Sequence, residues 1–511
     1  MNKRRAENSG FNLMASFSVP DVWGWIQSLP SISQWQTNTV SMCIHPSKSS
    51  QPSLNLSITK NLQNSTPISL SFSIVADFKL PISLWTSKPL KLKNTALTTT
   101  DEETVSSLFK ILIIDVLKYG LNKNMSFINI PSMETVSNFR DMFNLAFFTL
   151  VLLICIYEAP RDLRSACLNT LKDQLTNTHS REVSKVLMKF LGSNVEEQWM
   201  RSLNLAITNW IREFKGHNHY FKTPTPLFSY SVSTIGLWKV QLYCPVIAMN
   251  LESSSNTSVS EHLMFSLMYH QLEGVIQFGY KVIIQEKWVD LVVFVDNIRC
   301  DVIPLVSETL MAERGAGSEE RYFPSHVSLQ LTPTLQTNIL SVSVSKSSEN
   351  PAREFGTERS IETGFEPPTK FLGLKVSATD TMTMSLKPWR FEQSVFGSSA
   401  NLNWFLHDSM DGREVFSSKP SKLALVQPNA WFKDRYSSAN RPFTKQGGVI
   451  FAGDEYGDGV KWRVDRKHLG KTMEWEIKGW IWLTYWPNKY RTLYNETRSL
   501  EFKEILQLHL V

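Results

Sequence analysis

Closely spaced cysteines are missing from this chain of 511 residues. Its five, Cys43, Cys155, Cys167, Cys244 and Cys300, are odd in number, widely scattered and include no C-x-x-C pair. Disulfide-stapled secreted scaffolds and zinc ribbons both need paired thiols at short spacing, so both are excluded. Free thiols in a reducing compartment are the expectation, and with them an intracellular location. The start of the chain agrees. Lys3, Arg4 and Arg5 are followed by Ala-Glu-Asn-Ser-Gly, where a signal peptide would place its apolar core. Residues 1–14 read as a disordered tail. Five N-x-S/T sequons, at Asn55, Asn64, Asn124, Asn256 and Asn495, arise by chance in a chain this rich in Ser and Thr, and they matter only in the secretory pathway.

Charge of one sign is also scarce. Lys and Arg total 53 against 47 Asp and Glu, a net of +6, and no basic stripe gathers on one segment. A nucleic-acid partner is therefore not expected. Catalytic signatures are absent: no phosphate loop, no G-x-G-x-x-G after a strand, no nucleophile elbow, no H-E-x-x-H. The balance leans away from an enzyme, and no cofactor is expected. Hydrophobic residues at 42% and charged residues at 20% are ordinary globular values. Mean hydropathy is −0.18, which excludes a multi-span membrane protein.

Periodicity then divides the chain. Leu54, Leu56 and Ile58, and then Ile68, Leu70, Phe72, Ile74, Ala76 and Phe78, alternate with polar residues, as half-buried strands do. Residues 15–98 are thus an N-terminal β portion, with too few strands to bury a sheet face alone and so a candidate to join the C-terminal β region. Before it, Pro20 to Pro30 reads as a short helix carrying Trp23 and Trp25. Residues 99–216 form a helical block. Val183, Val186, Leu187 and Phe190 recur at helical spacing, as do Trp199, Leu203, Ala206, Ile207 and Trp210. Residues 217–511 return to short alternating runs, broken by aperiodic loops at 312–325 and 346–369. The expected fold class is α+β: a large antiparallel sandwich or barrel-like region with a helical block inserted near 100–215.

Three features carry functional expectations. Met142–Tyr157 is sixteen residues without a formal charge, short of the roughly twenty that cross a bilayer. A membrane partner and a buried core helix are the two readings, evenly balanced. The strand Met473–Trp486 places Trp480, Trp482 and Trp486 on the face opposite its apolar set, offering contacts to an apolar ligand, a protein partner or a membrane interface. Two acidic glycine turns hold Asp408 and Asp411, and Asp454, Glu455 and Asp458. If brought together they offer oxygen ligands to Ca²⁺, or an enzymatic site spanning 407–414 and 453–459. His217 with His219, and His262 with His270 on one predicted helix, are weaker metal-like pairs. The leading functional expectation is a non-catalytic protein that docks through the helical block and the Trp-rich strand.

Overall fold

The computed structural model describes residues 20–46, 52–61, 69–92, 102–120, 138–160, 163–164, 178–214, 229–254, 261–313, 322–345, 389–406, 449–452, 459–485 and 494–510. Among these, eighteen strands, β1 to β18, and seven α-helices, α1 to α7, build three antiparallel sheets and a helical layer.

Sheet one holds β1 (Thr39–His45), β2 (Ser53–Asn61), β3 (Ser69–Asp77), β4 (Ile82–Thr86) and β5 (Leu90–Lys91). Among the described residues these strands pair only with one another and with no strand of the C-terminal sheets. The cover that sheet one needs comes from helices instead. Leu54, Leu56, Ile58, Leu70, Phe72, Ile74 and Ala76 point inward and are almost wholly buried, on the faces that the two-residue period predicts. Trp85 of β4 reaches the helices directly, its indole donating to Asp115 at 3.0 Å.

The helices of this layer are α1 (Val22–Ser28), α2 (Glu102–Leu117), α3 (Phe139–Glu158), α4 (Thr178–Leu191) and α5 (Ser193–Phe214). The amphipathic stripes of α4 and α5 turn Val183, Leu187, Trp199, Leu203, Ala206 and Ile207 into the core, where burial of apolar area drives their docking. Two short helices, α6 (Glu261–Met268) and α7 (Glu308–Glu313), add a satellite cluster of Ile247, Phe265, Met268, Tyr269, Val306 and Met311.

Sheet two follows the order β12-β16-β10-β9-β7-β6 with β15 also on β10, and sheet three the order β13-β14-β11-β17-β18-β8. Their strands are β6 (Ser229–Thr234), β7 (Leu237–Pro245), β8 (Asn250–Ser254), β9 (His270–Ile284), β10 (Trp288–Pro304), β11 (Tyr322–Pro333), β12 (Ile339–Val344), β13 (Trp389–Phe396), β14 (Ser399–Leu406), β15 (Val449–Ala452), β16 (Val460–Asp465), β17 (Thr472–Tyr485) and β18 (Glu496–His509). The two sheets stay open and pack together through tryptophans. Trp475 lies 5.7 Å from Trp238 and 6.1 Å from Trp462, ring centre to ring centre. Two of the three indoles find carbonyls across the interface: Trp238 donates to Gln507 O and Trp462 to Ser398 O, both at 2.9 Å. The α+β class and the helical block are as the periodicity implied.

Gly479 sits opposite Phe502 in the β17–β18 register. A Cβ added there would lie 2.0 Å from the Phe502 ring, so the ring occupies the space a side chain would take. Gly479→Ala is expected to destabilise by about 1–3 kcal/mol through this overpacking, read as a lower urea midpoint at unchanged m-value.

Candidate functional site

The most unusual element is α3. Its twenty residues span about 30 Å at the helical rise, the thickness of a bilayer core. By length and composition it can cross a membrane, with mean hydropathy 1.9 over its best window, yet 83% of that window is buried inside the protein. Every residue from Leu145 to Ile156 is buried, so α3 is apolar all round, unlike the amphipathic α4 and α5. A helix of that kind belongs either to a core or to a membrane. Here it is enclosed by α1, α2, α4, α5 and β4.

Polar groups inside the apolar run fall into two kinds. Thr149 donates to Leu145 O at 2.8 Å, four residues back, and so needs nothing beyond its own helix. Asn144 looks outward. Its Oδ1 accepts from Trp23 N at 2.9 Å, and its Nδ2 donates to Asp21 Oδ1 at 3.0 Å. Asp21 is the N-cap of α1, accepting from Gly24 N at 3.0 Å, and it also takes Arg140 Nε at 3.0 Å together with a second guanidinium contact. The hydrogen bonds from Arg140, helped by those from Asn144 and Gly24, hold the Asp21 carboxyl down to about 2 despite some desolvation. Beside this hub, Trp23 packs on Phe139 at 5.1 Å and Phe143 at 4.9 Å. Helix α1 therefore lies as a strap over the first turns of α3.

A second constellation joins α5 to sheet two. Arg201 forks onto Glu273 with bonds of 2.7 and 2.9 Å. Gln271 donates to Glu273 at 2.6 Å, and Asn204 to Gln271 at 2.7 Å. Glu196, almost fully buried, accepts from the Tyr230 hydroxyl and bonds Tyr243 and Gln241. Asp301, one strand along from Glu273, takes Arg299. Burial raises the carboxyls of Glu196, Glu197 and Asp301 above the usual range. Buried acids with raised values can mark catalysis. In this case Glu273 and Glu196 are each surrounded by donors from the chain itself, which is the construction of an interface clamp.

The third is a row of rings on the outer face of sheet three. Register aligns Arg390, Phe405, His326 and Trp482 across β13, β14, β11 and β17. Arg390 sits 5.0 Å over Phe405, and His326 lies flat between Phe405 and Trp482, 4.2 Å from each. Burial lowers the His326 imidazole to about 4, against an opposing hydrogen bond to Asn403. The unfolded ring gains its proton near pH 6.5 and the folded ring only near 4, so folding stability falls as pH drops through that interval, by about 3 kcal/mol in full. The raised carboxyls of the α5 clamp contribute with the opposite sign. Comparing wild type with His326→Phe at pH 7 and pH 4.5 in urea therefore isolates the ring, and the wild type should lose more stability than the variant.

The residues singled out from sequence are distributed as follows. Trp480 and Trp482 lie half-buried on the outer face of β17, and the Trp482 face toward β11 is covered by His326. Trp486, Asp408, Asp411, Asp454, Glu455 and Asp458 lie outside the described residues, as do His217 and His219. His262 and His270 do not share a helix: α6 ends at Met268 and His270 opens β9, buried, with Nδ1 at 2.7 Å from Ser266 O. Tyr269 turns the chain from helix to strand there, which the apolar pattern across 263–272 concealed. Among the described residues no group of three or more His, Cys, Asp or Glu is placed to hold a metal ion, and Cys43, Cys155, Cys244 and Cys300 are free thiols. Sequence reasoning missed the Asp21 hub and the α5 clamp. Its one available signal for the hub was Asn144, the carboxamide inside the apolar run.

No protein-family model matches the chain, and no curated protein does. Among solved structures it aligns with the Clostridium perfringens delta-toxin at 10% identity, over 55% of this chain and 96% of that one, with a TM-score of 0.21. The Clostridium perfringens NetB toxin in its membrane-inserted form aligns at 9% identity, over 55% and 95%, with a TM-score of 0.17. A structure described as a pore forming protein aligns at 10% identity, over 55% and 99%, with a TM-score of 0.21.

Proposed function

We propose that this chain is a non-catalytic protein that associates with membranes through its helical block, α3 being the segment that enters lipid. The observation that supports the reading is the character of α3 itself. Its twenty residues have the length of a bilayer core, the sixteen from Met142 to Tyr157 carry no formal charge, and its central hydroxyl is satisfied within the helix, so transfer into hydrocarbon would strand few polar groups beyond Asn144. Tyr157 at its end, stacked on Tyr119 at 5.0 Å, is of the type that settles at a membrane interface. The flanking charges Arg140, Asp141 and Glu158 fall at the two ends. The folded state described above is the stored form, in which the bundle shields α3, and lipid competes for it by mass action.

The test is flotation of full-length protein with phosphatidylcholine–phosphatidylserine vesicles, followed by alkaline carbonate washing. A bound fraction that resists carbonate is the expected result. Protein that stays at the bottom of the gradient, or leaves entirely in carbonate, overturns the proposal.

A further inference from the structure

The strap α1 has a position that invites a function of its own, one that rests on the membrane reading just given. Its polar attachments converge on the Asp21 carboxylate, with one further bond from Trp23 N to Asn144 Oδ1. Asp21 caps α1, bonds Arg140 and bonds Asn144. The Arg140–Asp21 pair is open to water, with side chains 63% and 37% exposed, and exposed pairs hold weakly. Its apolar attachments are equally local. Val22, Trp23 and Ile26 are buried, and Trp23 covers Phe139 and Phe143 at the head of α3. Phe109 of α2 joins the same cluster, 5.4 Å from Phe139. The strap thus covers the N-terminal end of the lipid-competent helix and engages the carboxamide in its apolar run. The other enclosing elements differ. Helices α2, α4 and α5 bury long stripes, and α5 is further anchored to sheet two by Arg201.

From this geometry we infer that α1 is an autoinhibitory strap, whose displacement from Phe139, Phe143 and Asn144 is the step that admits α3 to a phospholipid surface. Displacement also frees the Arg140 guanidinium, and lipid phosphate offers it the same charge-assisted bonds that the Asp21 carboxylate gives it in the stored form. The exchange is carboxylate for phosphate at one end of the helix, and indole for acyl chain along it.

The experiment compares full-length wild type, Asp21→Ala, Asp21→Asn and Trp23→Ala for partition onto phosphatidylcholine–phosphatidylserine vesicles, with circular dichroism confirming that each is folded. Gly479→Ala, which destabilises a distant strand pair, is the control for general loosening. Asp21→Ala and Trp23→Ala are each expected to raise the partition coefficient about ten-fold, as loss of about 1.4 kcal/mol of strap contact would, with Asp21→Asn between them and wild type. The Gly479→Ala protein should partition as wild type does. Equal gains in Gly479→Ala and the strap variants overturn the inference, since loosening anywhere would then suffice. Strap variants that match a vesicle-binding wild type overturn the inference and leave the membrane reading standing. Absence of binding by wild type and every variant overturns both. Should Asp21→Ala fail to fold, Asp21→Asn and Trp23→Ala decide the outcome alone.

Discussion

Arg201→Leu should lower the free energy of unfolding by about 3–5 kcal/mol, because it leaves the Glu273 carboxylate buried without its cation. The pair is well enclosed, with side chains only 18% and 10% exposed, so water does not readily replace the lost guanidinium. The same substitution in the presence of Glu273→Leu should cost less, since both charges of the fork are removed and only Glu197, whose pair with Arg201 is longer at 3.5 Å and more exposed, is left without its cation. A double-mutant cycle in urea reads the difference directly. Additive losses would mean that the fork is loose in solution and that α5 is held by its apolar stripe alone.

Trp475→Ala should have an effect of comparable size, about 3–5 kcal/mol, for a different reason. Trp475 is fully buried between Trp238 and Trp462 where sheets two and three meet, and removing it opens a cavity that two opposed sheets cannot easily close. Its neighbour in sequence pattern, Trp482, is half-buried on the opposite face, and Trp482→Ala should cost clearly less. Urea midpoints for the two variants check the order. Equal losses would contradict the assignment of the two faces of β17.

Those faces were readable from the alternation Met473, Trp475, Ile477, Ile481, Leu483 and Tyr485, because a strand reverses side-chain direction at every residue. The stripes of α4 and α5 were readable for the equivalent helical reason. Pairing was not. Among the described residues the strands of sheet one pair only with one another, and nothing local in β2 or β3 distinguishes that outcome from joining a distant sheet. The candidate site was hidden by the same limit. Asp21 and Asn144 stand 123 residues apart, and the α5 clamp draws Glu196, Tyr230, Tyr243, Glu273 and Asp301 from five different elements. Local periodicity reports which face is buried, and it is silent on which distant polar groups meet there. For α3, composition alone left core and membrane evenly matched. The structure shows α3 enclosed by its neighbours, and the proposed release rests on the convergence of strap contacts on Asp21 and Asn144.

Hydrogen exchange read by mass spectrometry on the full-length chain, with and without phosphatidylcholine–phosphatidylserine vesicles, tests the account most directly. In buffer, both 22–28 and 139–158 should be protected, the first by its docking on α3 and the second by burial. With vesicles, amides of 22–28 should lose protection while those of 139–158 keep it, as a helix passing from protein core to hydrocarbon would. An exchange pattern unchanged by vesicles would contradict the account, and would make α3 a permanent core helix.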